Sequence, residues 1–106
     1  MTARSRLPNR RGSLTFDFEL NGLKFTATAS RFGDGRLGEI FVTNHKANSS
    51  AGIMASDGAV AASLALQFGC PAEVLRKALC RDGSGKASGP VGAALDLIEE
   101  VGRHGK

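Results

Sequence analysis

The residues of this chain with the chemistry to bind or transform a ligand are few and scattered. Glu39 lies within Leu37-Gly38-Glu39-Ile40-Phe41-Val42, on the same side of an extended run as Leu37 and Phe41. A carboxylate so placed must reach solvent, pair with a base such as Arg31 or Arg36, or hold a ligand or partner. His45 and Lys46 follow in a polar stretch. An imidazole can act as a general base, but the sequence places no nucleophile and no orienting carboxylate beside His45. His104 is equally isolated. A surface role is the plainer reading of both.

Two glycine-rich stretches invite a phosphate-binding reading. Gly33-Asp34-Gly35-Arg36 leads into an extended run, not a helix, so it lacks the strand-to-helix context of dinucleotide and P-loop motifs and reads as a turn. Gly83-Ser84-Gly85-Lys86 has suitable residue types, but lacks the required spacing to a Ser or Thr after the Lys. Arg81 to Gly89 as a whole reads as a mobile, Gly/Ser-rich connection. Cys70 and Cys80 flank a short helical pattern, roughly 15 Å apart at the helical rise, beyond the ~7 Å reach of a disulfide. Neither has a second ligand at metal-site spacing. They are expected to be free, packed thiols, and no metal or cofactor is called for.

Charge is concentrated at the start of the chain. Of the fourteen Lys and Arg residues, Arg4, Arg6, Arg10 and Arg11 precede the first acidic residue, Asp17, which leaves ten basic against ten acidic residues in the remainder. Residues 1–12 therefore read as a basic arm, either solvated or in contact with nucleic acid or an acidic partner. The arm is not followed by an apolar export segment. The apolar stretch 51–69 carries Asp57 among glycines, and reads as a buried helix and not a membrane span. A cytoplasmic location without membrane contact is expected.

The elements that must position these groups are legible from periodicity. Leu14, Phe16, Phe18 and Leu20 alternate with polar residues, Asn21-Gly22 is the favoured pair for a two-residue type I′ turn, and Leu23, Phe25, Ala27 and Ala29 alternate after it. That turn sets 20 opposite 23, 18 opposite 25, 16 opposite 27 and 14 opposite 29, apolar on apolar throughout. The other face sets Glu19 against Lys24 and Thr15 against Thr28. Residues 37–43 carry apolar groups on both sides, as in a strand covered on both faces. Residues 51–69 form a helix whose Ile53, Val60, Leu64 and Phe68 make one stripe; Asp57 lies on it, either at a solvent contact near the helix start or, less favoured, as a buried carboxylate with a partner. Ala55, Gly58, Ala59 and Ala62 form a small-residue side suited to close approach by other backbone. Gly69 closes this helix and Pro71 opens a second. Pro90 starts a third, with Val91, Ala94, Leu95, Ile98 and Val101 on one stripe. Three strands followed by three helices predict an α+β domain over 13–104, a three-stranded antiparallel sheet with the helices on one face.

Three stretches together carry a resemblance. They are Arg6-Leu7-Pro8-Asn9-Arg10-Arg11, then Asp34-Gly35-Arg36-Leu37-Gly38-Glu39-Ile40-Phe41-Val42 running on to His45-Lys46, and Ala62-Ser63-Leu64-Ala65-Leu66-Gln67-Phe68-Gly69-Cys70-Pro71. In this order the chain resembles the TSCPD domain, which occurs at the C-terminal end of adenosylcobalamin-dependent ribonucleotide reductases and as a separate small protein. Where that domain has its name motif, this chain has Ala87-Ser88-Gly89-Pro90-Val91, so the Cys and Asp are replaced and no thiol or metal role carries over. The resemblance implies an accessory or regulatory module without a catalytic apparatus, acting through a reductase catalytic subunit or a nucleotide. Its contact residues would be Arg10, Arg11, Arg36, Glu39, His45 and Lys46. The sheet edges and the apolar helix also predict a homo-oligomer. A nucleic-acid module using the Arg-rich arm, or a small nucleotide- or metabolite-binding protein, remain the alternatives.

Overall fold

A computed structural model describes residues 3–5, 13–46 and 48–104. Strands β1 (Ser13–Leu20), β2 (Leu23–Arg31) and β3 (Leu37–Asn44) are followed by helices α1 (Ser50–Gln67), α2 (Ala72–Ala78) and α3 (Pro90–His104). The sheet is antiparallel in the order β1-β2-β3. Asn21 and Gly22 adopt φ of 53° and 80°, the left-handed pair a type I′ turn requires. The expected register follows residue for residue, with Leu20 opposite Leu23, Phe18 opposite Phe25 and Leu14 opposite Ala29. On the solvent face the Thr15 and Thr28 hydroxyls meet at 3.2 Å. On the helix face Phe25, Ala27 and Ala29 are buried, and Phe18 stacks on Phe25 with ring centroids 5.4 Å apart.

β3 departs from the expectation of a strand covered on both faces. Ser30 pairs with Glu39 and Arg31 pairs with Leu37, so Gly38 is an inserted bulge residue. The insertion reverses the in–out alternation, and Leu37 joins Ile40 and Val42 in the core. The other face, with Phe41, is open to solvent.

α1 departs further. The helix, expected to be buried all round, leaves the stripe Ile53, Val60, Leu64 and Phe68 exposed, and it is the small residues Ala55, Ala59 and Ala62 that are buried with Leu66. The reason lies in β3, whose outer backbone edge would otherwise be unpaired. The buried Ser63 hydroxyl accepts from the Ile40 amide and donates to the Ile40 carbonyl, both at 2.9 Å. Gln67 Nε2 donates to the Gly38 carbonyl at 2.9 Å, and Ser56 Oγ to the Val42 carbonyl at 3.3 Å. Residues 56, 63 and 67 share one flank of the helix, and residues 38, 40 and 42 share one edge of the strand. Small side chains on α1 let it come close enough for short Ser and Gln arms to satisfy buried backbone groups, which are costly to leave unpaired.

The helix ends follow local chemistry. Ser49 Oγ accepts from the Gly52 amide at 3.0 Å as an N-cap. Gly69, at φ 106°, closes α1 while the Gly69 and Cys70 amides donate back to the Leu66 and Ala65 carbonyls, a Schellman arrangement. α3 buries Ala94, Leu95 and Ile98, with Val91 packed against the core. α1 and α3 approach closely at Gly58, where a Cβ would meet Val91 Cγ2 at 3.2 Å. The connection read as mobile is a tight turn instead. Arg81 and Ala87 form a bridge, and Asp82 Oδ1 accepts from the Ser84 and Lys86 amides at 2.9 and 3.0 Å and from Ser84 Oγ at 2.7 Å.

Candidate partner-binding face

Three sides of α1 are occupied, by the core, by β3 and by α3. The fourth is exposed and apolar. Ile53, Val60, Leu64 and Phe68 retain 55%, 50%, 39% and 43% of their surface, while Ala59 opposite them retains 1%. Their spacing of seven, four and four residues keeps them on one line along the helix. Asp57 lies exposed on that line, as expected of it. Large apolar side chains facing water in one row, rimmed by polar groups, fit an interaction surface.

The face has two different borders. On one side is an apolar cleft of about 400 Å³ between the hairpin tip, α1 and the start of α3; Leu20, Leu23, Met54, Cys80, Pro90 and Val91 are among its lining. Cys80 was expected to be packed, but its thiol is exposed here; Cys70 is half-buried. On the other side is a polar depression that includes Asn44, Lys46, Asn48 and Asp57. The sequence signal for this arrangement is the row Ser56, Ser63 and Gln67, whose polar side chains identify the inward flank of an otherwise apolar helix.

The residues expected to bind a ligand do not converge. Arg36 is tied into its own turn, with Nε 2.7 Å from Asp34 Oδ2 and its guanidinium 4.7 Å over the Phe32 ring. Glu39 is half-buried at the start of β3, opposite Ser30. His45 and Lys46 lie past the far end of that strand, about 20 Å from Glu39 at the strand rise. That separation is too large for Glu39 and His45 to act on one small substrate. Lys46 is exposed beside the α1 face. Arg10 and Arg11 lie outside the described residues.

His45 does belong to a polar cluster. Its Nε2 is 2.8 Å from Thr26 Oγ1 and 3.8 Å from Asp17 Oδ1, and Thr26 Oγ1 donates to Asp17 Oδ1 at 2.6 Å. The order is wrong for nucleophilic catalysis. The threonine proton goes to the aspartate, so His45 Nε2 must donate to the hydroxyl and cannot accept its proton. The glycine-rich turns are likewise engaged. The Asp34 and Asp82 carboxylates accept the loop amides that an anion would need, and both carboxyls are held below their ordinary range, by the Arg36 amide and by the Ser84 hydroxyl respectively. Among the described residues, no three His, Cys, Asp or Glu side chains are grouped to hold a metal. No helix among them is long and apolar enough to cross a membrane.

One charged cluster has no mark in the sequence. Asp96 accepts from Arg81 at 2.7 and 2.8 Å and from Arg76 at 3.1 Å, which ties α3 to α2 and to the turn after it. The hydrogen bonds from Arg81, and then those from Arg76, hold the Asp96 carboxyl below its ordinary range. These bonds make Asp96 a structural clamp between the two helices.

No family model matches the chain, and no solved structure matches it. Curated relatives do. Over 70 residues, 66% of this chain, it is 43% identical to a vitamin B12-dependent ribonucleotide reductase of Agrobacterium fabrum. The corresponding protein of Rhodopirellula baltica is 39% identical over 72 residues, and that of Bradyrhizobium diazoefficiens is 37% identical over 71. The chain spans only 6–7% of the length of these relatives. It is thus similar, over about two thirds of its length, to a short stretch of vitamin B12-dependent ribonucleotide reductases.

Proposed function

We propose that the chain is an accessory module of the TSCPD type that docks on a ribonucleotide reductase catalytic body and adjusts its activity from the cytoplasm, with no chemistry of its own. The similarity of two thirds of the chain to a small part of vitamin B12-dependent reductases carries this reading. It is supported by the outer face of α1, an apolar row that the fold leaves uncovered. The contact is assigned to Ile53, Val60, Leu64 and Phe68, with Lys46 and Asp57 at its polar border.

The test is a mixture. The chain is added to a vitamin B12-dependent reductase catalytic subunit, and co-elution and deoxyribonucleotide formation are measured. Co-elution, a changed turnover, and loss of both on Val60→Asp together with Leu64→Asp are expected. The chain alone is expected to form no deoxyribonucleotide, since radical reduction of a ribose needs converging thiols and only Cys70 and Cys80 are present. Deoxyribonucleotide from the chain alone, or neither co-elution nor a change in turnover, refutes the proposal.

A further inference from the structure

The two edges of the sheet are treated differently. α1 seals the outer edge of β3 through Ser56, Ser63 and Gln67. β1, the other edge, has no such cover among the described residues. A two-residue turn makes Leu20 and Leu23 a hydrogen-bonded pair, so residues 14, 16, 18 and 20 direct their backbone toward β2. Ser13, Thr15, Asp17 and Glu19 direct theirs outward, and among the described residues no hydrogen bond reaches those backbone groups. β1 contains no Pro, no Lys and no bulge, so that of the usual means of blunting an edge it has only the charges of Asp17 and Glu19. Its helix-facing side is undercovered as well, since Leu14 is 37% exposed and Phe16 and Phe18 are only half-buried.

We infer that a second copy of this chain pairs antiparallel along β1, with a two-fold axis at Phe16, to make a continuous six-stranded sheet. This inference is independent of the reductase reading. The register follows from charge. An axis at Phe16 sets Ser13 opposite Glu19 and Thr15 opposite Asp17, hydroxyl against carboxylate each time, and every outward residue finds an outward partner. An axis at Asp17 sets that carboxylate on itself, and an axis at Phe18 sets Asp17 against Glu19, both unfavourable. An axis at Thr15 leaves Glu19 beyond Ser13 of the second copy. Only the Phe16 axis uses the whole edge without opposing like charges. It also sets Leu14 beside Phe18 of the second copy and Phe16 beside its equivalent, on the side that carries the helices.

The experiment is sedimentation equilibrium of the full chain at low salt over a wide concentration range, with the variants Thr15→Lys and Thr15→Glu. Each substitution alters two equivalent cross-strand pairs across the axis. At the usual strength of such pairs, Thr15→Lys tightens the dimer and Thr15→Glu loosens it, each by roughly 2- to 30-fold in dissociation constant. Both variants lose the same contact with Thr28, so a common folding defect cannot produce opposite signs. Thr15→Pro removes an outward amide that β2 does not use and is expected to give a folded monomer, with circular dichroism as the check. A monomer mass at all concentrations, a dimer indifferent to the charge at position 15, or a dimer dissociated instead by Val60→Asp overturns the inference.

Discussion

Replacing Ser63 with Ala removes one oxygen and two hydrogen bonds, and the fold makes the effect calculable. Ile40 is fully buried, and both its amide and its carbonyl use that hydroxyl at 2.9 Å. Leaving a buried backbone group unsatisfied costs roughly 1–3 kcal/mol, and Ala returns at most about 0.7 kcal/mol in helix propensity. Two groups lose their partner, so the net loss is roughly 1.3–5 kcal/mol, equivalent to a fall in Tm of at least about 5 °C for a domain of this size. Urea denaturation measures it directly, with an unchanged slope showing that the surface exposed on unfolding is the same. Hydrogen exchange adds a local readout, because the Ile40 amide should lose protection ahead of the β1–β2 ladder. Ser56→Ala is the internal control. Its bond to Val42 is longer, 3.3 Å, and half-buried, so the loss should stay under about 1 kcal/mol. Stability of the Ser63 variant within about 0.3 kcal/mol of the parent would show that α1 does not hold β3 in this way.

Two further outcomes are expected. Ala59→Leu forces bulk into a closed contact and should cost about 1–3 kcal/mol, whereas Val60→Ser next to it should change stability by no more than about 0.5 kcal/mol; urea midpoints decide, and the opposite ranking would restore Val60 to the core. Asp96 titrates below its ordinary range in the folded chain, so its contribution is fully present above the unfolded carboxyl pKa of about 3.9 and is lost as pH falls below it. The stability gap between the parent and Asp96→Asn should therefore be widest near neutral pH and shrink below about pH 4.

The hairpin was readable because two independent constraints agree. Strict alternation in residues 14–20 and 23–29 and the Asn21-Gly22 turn admit one register, and a slip would misplace both faces. The third strand and the helix order were also legible from apolar runs and from Gly69, Pro71 and Pro90. Two features were not. The bulge at Gly38 inverts alternation within a single residue, and its one local mark, a glycine inside an apolar run, does not by itself set the register. Which side of α1 stays exposed was not legible, because a helix apolar on nearly every side offers no amphipathic direction and reads as buried all round. Bulk then suggests the wrong answer, since large residues are normally core. The inward flank was decided by what β3 needs, hydroxyl and amide groups at close range, and Ser56, Ser63 and Gln67 supply them. The candidate site was less legible still. Arg36 and Lys46 were singled out for their charge, yet Arg36 is held by Asp34 and Phe32, and Lys46 only borders an apolar face that periodicity had assigned to the interior.

The sealing of β3 also bears on how far assembly can go. A sheet with two bare edges offers each new copy another place to add, and growth by strand pairing then has no natural stop. Here one edge is closed within the chain, by side chains of its own helix. Pairing along β1 uses the only uncovered edge among the described residues, and both outer margins of the resulting sheet are sealed β3 strands. Association through the native sheet therefore terminates at two copies, a closed isologous pair and not a fibre. Weakening the contact between α1 and β3 would remove that stop, and aggregation would be its first visible sign.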